Sequence, residues 1–322
     1  MLYKPKFYNK EFRMSGVTIV KIKSEDDGIR LNRWFLREYP SLSLGRLQKL
    51  LRTKQIKVDG KRAETSTRLA AGQELRLPPL DNEKAVKTAE NISKNDADYI
   101  MSLVIYKDKD IIALNKPSGL AVQGGTNTSR HVDGFLEALK FENNEKPKLV
   151  HRIDKETSGI LLLARNRKSA EILTKAFREH NLQKTYLALV RGCPQRLSGE
   201  INLPLEKVGE KMEVVKGGKK AVTAYEVLDN ATKKYALLAA SPLTGRTHQI
   251  RAHLEALGCP ILGDNKYDGT ERVRLKEVAD KLYLHAYKID LSAIYGKKTV
   301  ICAELPKYYK EACEFFGLEY KK

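Results

Sequence analysis

The chain is short of cysteine and tryptophan and has no long apolar run, and these scarcities remove several classes of answer. Four cysteines in 322 residues, Cys193, Cys259, Cys302 and Cys313, stand 66, 43 and 11 positions apart. With no CxxC pair and no histidine at zinc-finger spacing, neither a disulfide framework nor a structural zinc is expected. The thiols read as free, and buried or half-buried, in a reducing compartment. No stretch approaches 18 apolar residues, so no membrane span is expected. The opening MLYKPKFYNKEFRMSG is basic but lacks a long apolar centre and a small-residue cleavage site, which argues against a secretory signal and for a cytoplasmic protein. Met14 stands as an alternative start, because the regular pattern begins just after it with VTIVKIK and the preceding residues read as a frayed extension.

Several catalytic signatures are missing as well. There is no G-x-x-x-x-G-K loop, no G-x-G-x-x-G and no G-x-S-x-G elbow, which sets aside nucleoside triphosphate use, dinucleotide redox chemistry and α/β-hydrolase action. His248 and His253 are five apart and so are not paired on a helix face as in HExxH; no zinc hydrolase and no other metal site is expected. His151, Asp154 and Ser158 are too close in sequence for a nucleophile triad, whose members come from distant segments.

What the chain has is positive charge and enough apolar residues for two cores. Hydrophobic residues make up 42% of the sequence, and Lys and Arg number 59 against 40 Asp and Glu, a formal charge of +19. Such a field suits a polyanionic partner. The excess is concentrated at one end, with 18 basic and 8 acidic side chains in residues 1–80. There, Leu31, Trp34, Phe35 and Tyr39 fall at helical spacing after Ile29, and Pro40 closes the segment. Ser43 suits an N-cap for a second helix with Leu44, Leu47, Leu50 and Leu51 inward and Arg46, Lys49 and Arg52 outward. QIKVDGK and ELRLP then alternate like strands, the first ending on the turn pair Asp59-Gly60. Residues 81–94 read as a linker. Beyond it, LVIYKDKDIIALNKP reads as strand, turn and strand, and KSAEILTKAFREH as a helix with Ala170, Leu173, Ala176 and Phe177 on one face, between the strand-like GILLLAR and TYLALVRG.

The tightest polar cluster, His151, Arg152, Asp154, Lys155, Thr157 and Ser158, lies between an apolar lead-in and the long strand-like run, at a strand mouth of the kind that often carries catalytic groups. By spacing alone it fits equally a surface turn in which Asp154 caps the amides of Thr157 or Gly159. Arg246 and Arg251 fit phosphate contacts, and Tyr186 in its apolar strand fits a core position.

Two resemblances sharpen this reading. SLSLGRLQKLLRTKQIKVDGKR resembles the S4 RNA-binding signature, with Arg46, Lys49 and Arg52 on the basic helix. HRIDKETSGILLLARN resembles the H-R-L-D-x-x-T-S-G motif of the RluA-type pseudouridine synthases, with Ile153 in place of the usual Leu. NKPSGLAVQGG, KTYLALV, GRTHQIRAHL, PILGDNKY and LHA follow in the family's order, while ICAELP is a loose version of its closing strand. The resemblance implies an α+β architecture: a small S4-like domain at 16–80, and a synthase domain at 95–322 built on a large mixed, mostly antiparallel sheet. It implies an RNA pseudouridine synthase that isomerises uridine without a cofactor, with large-subunit ribosomal RNA as the substrate. Transfer RNA, or a non-catalytic RNA-binding assembly factor of the same fold, are the alternatives. Asp154 takes the position of the acting carboxylate, Arg246 of its arginine partner and Tyr186 of the residue that stacks on uracil and moves a proton. Arg152 matches the side chain that enters the space left by the extruded nucleotide, and His151 beside it is expected to contact the RNA; Leu284 would give the base an apolar wall. No protein partner is required, and a monomer is expected.

Overall fold

The computed structural model describes residues 13–14, 17–39, 42–80, 92–124, 128, 130–143, 145–268, 275–296 and 298–320. The chain divides into two compact units, residues 1–91 and 92–322. Unit 1 contains β1 (Arg13–Met14), β2 (Val17–Lys21), α1 (Leu31–Glu38), α2 (Leu44–Arg52), β3 (Lys57–Val58), β4 (Lys61–Arg62) and β5 (Glu74–Leu77), with sheet order β1-β2-β5-β3-β4. Ser43 caps α2 as expected, its hydroxyl accepting from Arg46 N. Leu31, Trp34, Phe35, Leu47, Leu50 and Leu51 form a core with Ile56, Val58, Leu75 and Leu77. Leu44, expected inside, is 41% exposed because it sits in the first turn beyond the sheet's cover. Asp59 and Gly60 both have positive φ (46° and 73°), the backbone of a two-residue hairpin turn between β3 and β4. Pro40 and residues 81–91, most of the expected linker, lie outside the described residues, and Ser93 already caps the first helix of the second unit.

That unit runs α3 (Lys94–Ser102), β6 (Val104–Lys107), β7 (Ile111–Lys116), α4 (Val132–Phe135), β8 (Lys148–Leu149), β9 (Ser158–Ala164), α5 (Arg167–Arg178) and β10 (Gln183–Arg191). It continues with β11 (Ser198–Asn202), β12 (Leu205–Val208), β13 (Lys211–Val214), β14 (Val222–Ala231), β15 (Tyr235–Pro242) and α6 (Gln249–Ala256), and ends with β16 (Leu284–Asp290), α7 (Ser292–Tyr295), β17 (Val300–Cys302) and α8 (Lys307–Phe316). Ten strands make one sheet, ordered β11-β14-β15-β10-β16-β9-β7-β6 with β17 on β16 and β8 on β9; β12 and β13 form a separate hairpin. Every described pairing in it is antiparallel except β16 with β9. The architecture is α+β.

Strand β9 is buried along its whole length. Its alternation divides two cores: Ile160, Leu162 and Ala164 pack with Leu173 and Ala176 of α5, and Leu161 and Leu163 with Ile100, Val132 and Phe135. Each such aliphatic side chain contributes about 1.5–3 kcal/mol on burial, so this strand is a rigid base for the loop that precedes it. The parallel joint with β16 is closed by Gly159, at φ +103°, where an added Cβ would strike Ala286 O. No side-chain-bearing residue fits there.

Between the short pairings of β9 with β16 and β8, the Leu162 amide has no strand partner on that edge, and His151 supplies one: its Nε2 accepts from Leu162 N at 2.8 Å. Its ring stacks on Phe177 at 4.2 Å. At the start of β9, Ser158 Oγ lies 2.9 Å from His285 Nδ1, and His285 Nε2 is 3.2 Å from Ala303 O. Burial pulls the pKa of His151 down to about 3 and that of His285 to about 4. Of the cysteines, Cys259 and Cys313 are buried, whereas Cys302, on the edge strand β17, is exposed rather than buried or half-buried. Among the described residues no helix is long and apolar enough to cross a membrane.

Both imidazoles are neutral in the fold and titrate near 6.5 once unfolded, so the unfolded chain binds more protons below that pH. Stability is therefore expected to be full above pH 6.5 and to fall as pH drops toward 4, by up to about 1.4 kcal/mol per pH unit for each ring. Urea unfolding from pH 7.5 to 4.5 checks this, with His151→Gln, which keeps an acceptor for Leu162 N, flattening the slope.

Candidate active site

The polar cluster of residues 151–158 opens onto a cavity of about 790 Å³ lined by Arg152, Asp154, Tyr186, Arg246, His248 and Leu284, among others. Four elements bring these groups together. The loop before β9 supplies Asp154, neighbouring strands β10 and β16 supply Tyr186 and Leu284, and the segment entering α6 supplies Arg246, His248 and Arg251.

Asp154 is 29% exposed. Its main-chain carbonyl accepts from Thr157 N at 3.2 Å, so the turn is closed by backbone rather than by the carboxylate capping envisaged from spacing. Carboxylate oxygen Oδ2 instead accepts from Arg251 Nη1 at 3.2 Å. This corrects the expected pairing: the cation on Asp154 is Arg251 and not Arg246. Arg246 lines the same cavity, but its Nε donates to Lys220 O at 3.1 Å. The reason is local backbone. His248 adopts a left-handed conformation (φ 50°, ψ 18°) immediately before α6, so the two arginines are not on one continuous helix. Gln249 fixes that turn, its Oε1 accepting from Thr244 Oγ1 and Arg246 N and its Nε2 donating to Val222 O and Thr223 Oγ1.

Arg251 is itself held from behind. Asp264, whose side chain is fully buried, takes Nε and Nη2 in a bidentate pair at 2.7 Å each, and its Oδ1 also accepts from the amides of Lys266 and Tyr267. Burial works against the guanidinium's charge, but the bonds and charges of Asp264 and Asp154 win and raise its pKa. Tyr267 lies beneath, with the Arg251 guanidinium 5.0 Å from its ring centre. The Tyr267 hydroxyl accepts from Met212 N at 2.8 Å and is 3.0 Å from His248 Nδ1. A phenol that accepts from Met212 and donates to Nδ1 leaves the His248 proton on Nε2, which faces Asp154 Oδ2 at 3.7 Å. Burial lowers the His248 pKa, against the pull of Asp154.

Tyr186 is opposite Ala240 on one neighbouring strand and Ala286 on the other, and two small partners leave room for its ring. The ladder with β16 is irregular at Thr185/Tyr186, the kind of bulge that re-aims a side chain. Burial first, and then the Asp154 charge, push its phenol well above the ordinary value, so it stays protonated. Leu284, at the start of β16, pairs with Ala188 and so shares a sheet face with Tyr186. Arg152 is exposed at the rim. His151 lines the cavity as a neutral ring committed to Leu162 N, which makes it wall rather than a charged contact. Arg46, Lys49 and Arg52 belong to unit 1, exposed on α2.

Lys116, Asp264 and Tyr267 were not singled out from sequence. Lys116 is fully buried, its Nζ donating to Pro117 O, Leu120 O and Lys155 O, which ties the loop after β7 to the Asp154 loop. Burial lowers its pKa to about 7. The signals were there in weak form: a Lys-Pro pair ending a strand, and Asp-x-x-Tyr at turn spacing. Among the described residues, no group of three or more His, Cys, Asp or Glu could hold a metal ion.

Comparison with known proteins agrees with this picture. The family described as RNA pseudouridylate synthase matches residues 110–256. A Rickettsia bellii protein named ribosomal large subunit pseudouridine synthase C is 40% identical over 295 residues, covering 87% of this chain and 95% of its own. Its Escherichia coli namesake is 36% identical over 283 residues, covering 84% and 87%. Among solved structures, human RNA Pseudouridylate Synthase Domain Containing 4 superposes with a TM-score of 0.60 at 28% identity, covering 70% of this chain and 97% of that one.

Removing Arg251 leaves Asp264 as a buried carboxylate without its cation. Arg251→Met is expected to cost about 3–5 kcal/mol of stability, and Asp264→Asn in the same chain to recover most of it, because the amide oxygen still accepts from the two main-chain amides. Equal urea midpoints for the single and double variants would contradict this account.

Proposed function

This chain belongs to the RNA pseudouridylate synthase family and is an RNA pseudouridine synthase, and we propose that it acts on uridines of large-subunit ribosomal RNA through Asp154. The observation that carries the site assignment is the carboxylate of Asp154, open to a cavity large enough for an extruded nucleotide and paired from behind with Arg251. The substrate assignment is supported by the names of relatives similar over almost their whole length.

The reaction breaks the N1–C1′ bond, turns the uracil and joins its C5 to C1′; the C5 proton is lost and N1 gains one, so composition and oxidation state are unchanged. A carboxylate at C1′ can attack that carbon or stabilise the positive charge that grows on it. Either role needs the anion. A bound base excludes water from the carboxylate, and the Arg251 guanidinium on Oδ2 supplies the opposite charge there. Tyr186 offers a flat, protonated ring for stacking, a contact worth roughly 1–3 kcal/mol per base. Its raised pKa suits a proton donor or relay better than a standing base. Leu284 walls the base, and Arg152 at the rim fills the stack from which the nucleotide has left. Arg246, bonded to Lys220 O, serves as a backbone contact for the RNA.

We further assign residues 16–80 as an S4-like RNA-binding domain, which supplies binding energy through phosphate contacts from Arg46, Lys49 and Arg52. The protein acts as a monomer, in the cytoplasm.

Asp154→Asn is expected to lower pseudouridine formation on a large-subunit ribosomal RNA transcript by on the order of 10³-fold or more while RNA binding is largely kept. Wild-type turnover in the variant would remove the catalytic assignment. Pseudouridine maps of ribosomal and transfer RNA from cells with and without the protein check the substrate, which is wrong if only transfer RNA changes.

A further inference from the structure

Unit 1 carries positive charge on both sides of its sheet. On the helix side, Val58, Leu75 and Leu77 are buried against α1 and α2, so residues alternating with them point to the opposite, open face. There Lys57 of β3 is directly opposite Arg76 of β5 on one side and Arg62 of β4 on the other. Arg62 and Arg76 are exposed, and Lys57 is half-buried between them. Adjacent strands are about 4.8 Å apart, so three cationic side chains form one row across about 10 Å of sheet. Ile19, 44% exposed, continues the row on β2 opposite Arg76. Carboxylates lie nearby: Glu74 is two residues from Arg76 and opposite Lys21, and Asp59, two residues from Lys57, accepts from Gln73 Nε2 and Glu74 N. Among the described residues, none of Lys57, Arg62 and Arg76 has an ion pair.

Like charges directly opposite on a sheet destabilise it. A row of three therefore has no stability rationale and calls for an external anion. Arg46, Lys49 and Arg52 lie on α2, across the sheet from this row, and a single phosphate run along that helix does not account for it.

We propose that the open face of the N-terminal sheet, where Arg76, Lys57 and Arg62 stand side by side on adjacent strands, is a second RNA-backbone-binding surface. With α2 on the other side, the unit holds two separate phosphate runs and so suits a folded RNA with two segments close in space rather than a single strand. The occupant is RNA because the row presents three fixed cations at strand spacing with an apolar side chain beside them, and because the chain's substrate is RNA; the inference rests on that reading.

The test uses the full-length protein and a large-subunit ribosomal RNA transcript, with affinity measured across a salt titration. The triple variant Lys57→Gln, Arg62→Gln, Arg76→Gln is expected to reduce the slope of log K against log salt by about 2–3. Its thermal midpoint should equal or exceed that of the wild type, because a repulsive row is removed. The charge-keeping triple Lys57→Arg, Arg62→Lys, Arg76→Lys should retain the wild-type slope, and Arg76→Gln alone should lower it by about 1. Combined with Arg46→Gln, Lys49→Gln and Arg52→Gln, the two slope losses should add. An unchanged slope in the sheet variants overturns the proposal, as it would if the row served an acidic protein. A sheet effect that vanishes in the α2 background also overturns it, since that means one shared surface. Binding is read without turnover, so a wild-type protein that forms no pseudouridine would fail the functional reading and leave this measurement intact.

Discussion

One guanidinium shared by two carboxylates organises the centre of this protein. Arg251 gives its Nε and one terminal nitrogen to Asp264, and its other terminal nitrogen to Asp154. The two bonds are not equivalent. The pair with Asp264 is bidentate, short and buried, and Asp264 is itself tied to two main-chain amides. The contact with Asp154 is single, longer and reaches a partly exposed carboxylate. A buried bidentate pair fixes orientation, and the residual charge is presented at the remaining nitrogen. Asp154 thus meets a cation whose position does not depend on substrate, which is the preorganisation that charge-stabilising catalysis needs.

That arrangement relies on the sheet for its reach. Asp154 precedes β9, Tyr186 lies within β10, and Leu284 begins β16, and these three strands are neighbours in the order β10-β16-β9. The one parallel joint among the described pairings of the sheet, closed by Gly159 against Ala286, puts the start of β9 beside the start of β16. An antiparallel joint would put the two starts at opposite ends of the strand pair. Lys116 then secures the loop from the back through three carbonyls, and His151 repairs the gap in the β9 ladder that this loop leaves.

Much of this was legible in the sequence, for reasons that differ from element to element. The Ser43 cap, the apolar run of β9 and the turn at Asp59-Gly60 are local signals, and local signals survive folding. The polar cluster at a strand mouth was equally visible, and so was the order of the family's motifs. The arginine on Asp154 was not. GRTHQIR offers two candidates five residues apart, and the choice between them is made by one left-handed residue, His248, whose conformation no periodicity announces. His151 shows the same limit from the other direction. Beside Arg152 and Asp154 it reads as an RNA contact, yet its ring is spent on an amide eleven residues away in the chain, a partnership that exists only because β16 and β8 leave β9 unpaired between them. Leu44 and Cys302 fail for a simpler reason: each has the right residue type for burial but sits at the end or edge of its element.

The distribution of charge within the cavity completes the picture. At its floor, Asp154 shares the Arg251 guanidinium with Asp264, which is buried behind it, and the lining residues His248 and His151 are held toward their neutral forms by burial. Asp154, Arg251 and Asp264 together carry one net negative charge, which disfavours a phosphate beside them. The cavity's remaining cations are Arg152 and Arg178, which are exposed, and Lys184 and Arg246, which are half-buried; burial lowers the pKa of Lys184. A nucleotide entering such a field is oriented before any specific contact forms, with its neutral base and sugar inward and its phosphate outward. A protein with a formal charge of +19 attracts RNA wherever its cations are exposed, but the cation bonded to Asp154, Arg251, must not draw a phosphate to the same place. Asp264 accomplishes this by neutralising the arginine from behind, so the same buried pair that holds Arg251 in place also keeps the cavity floor from becoming another phosphate site.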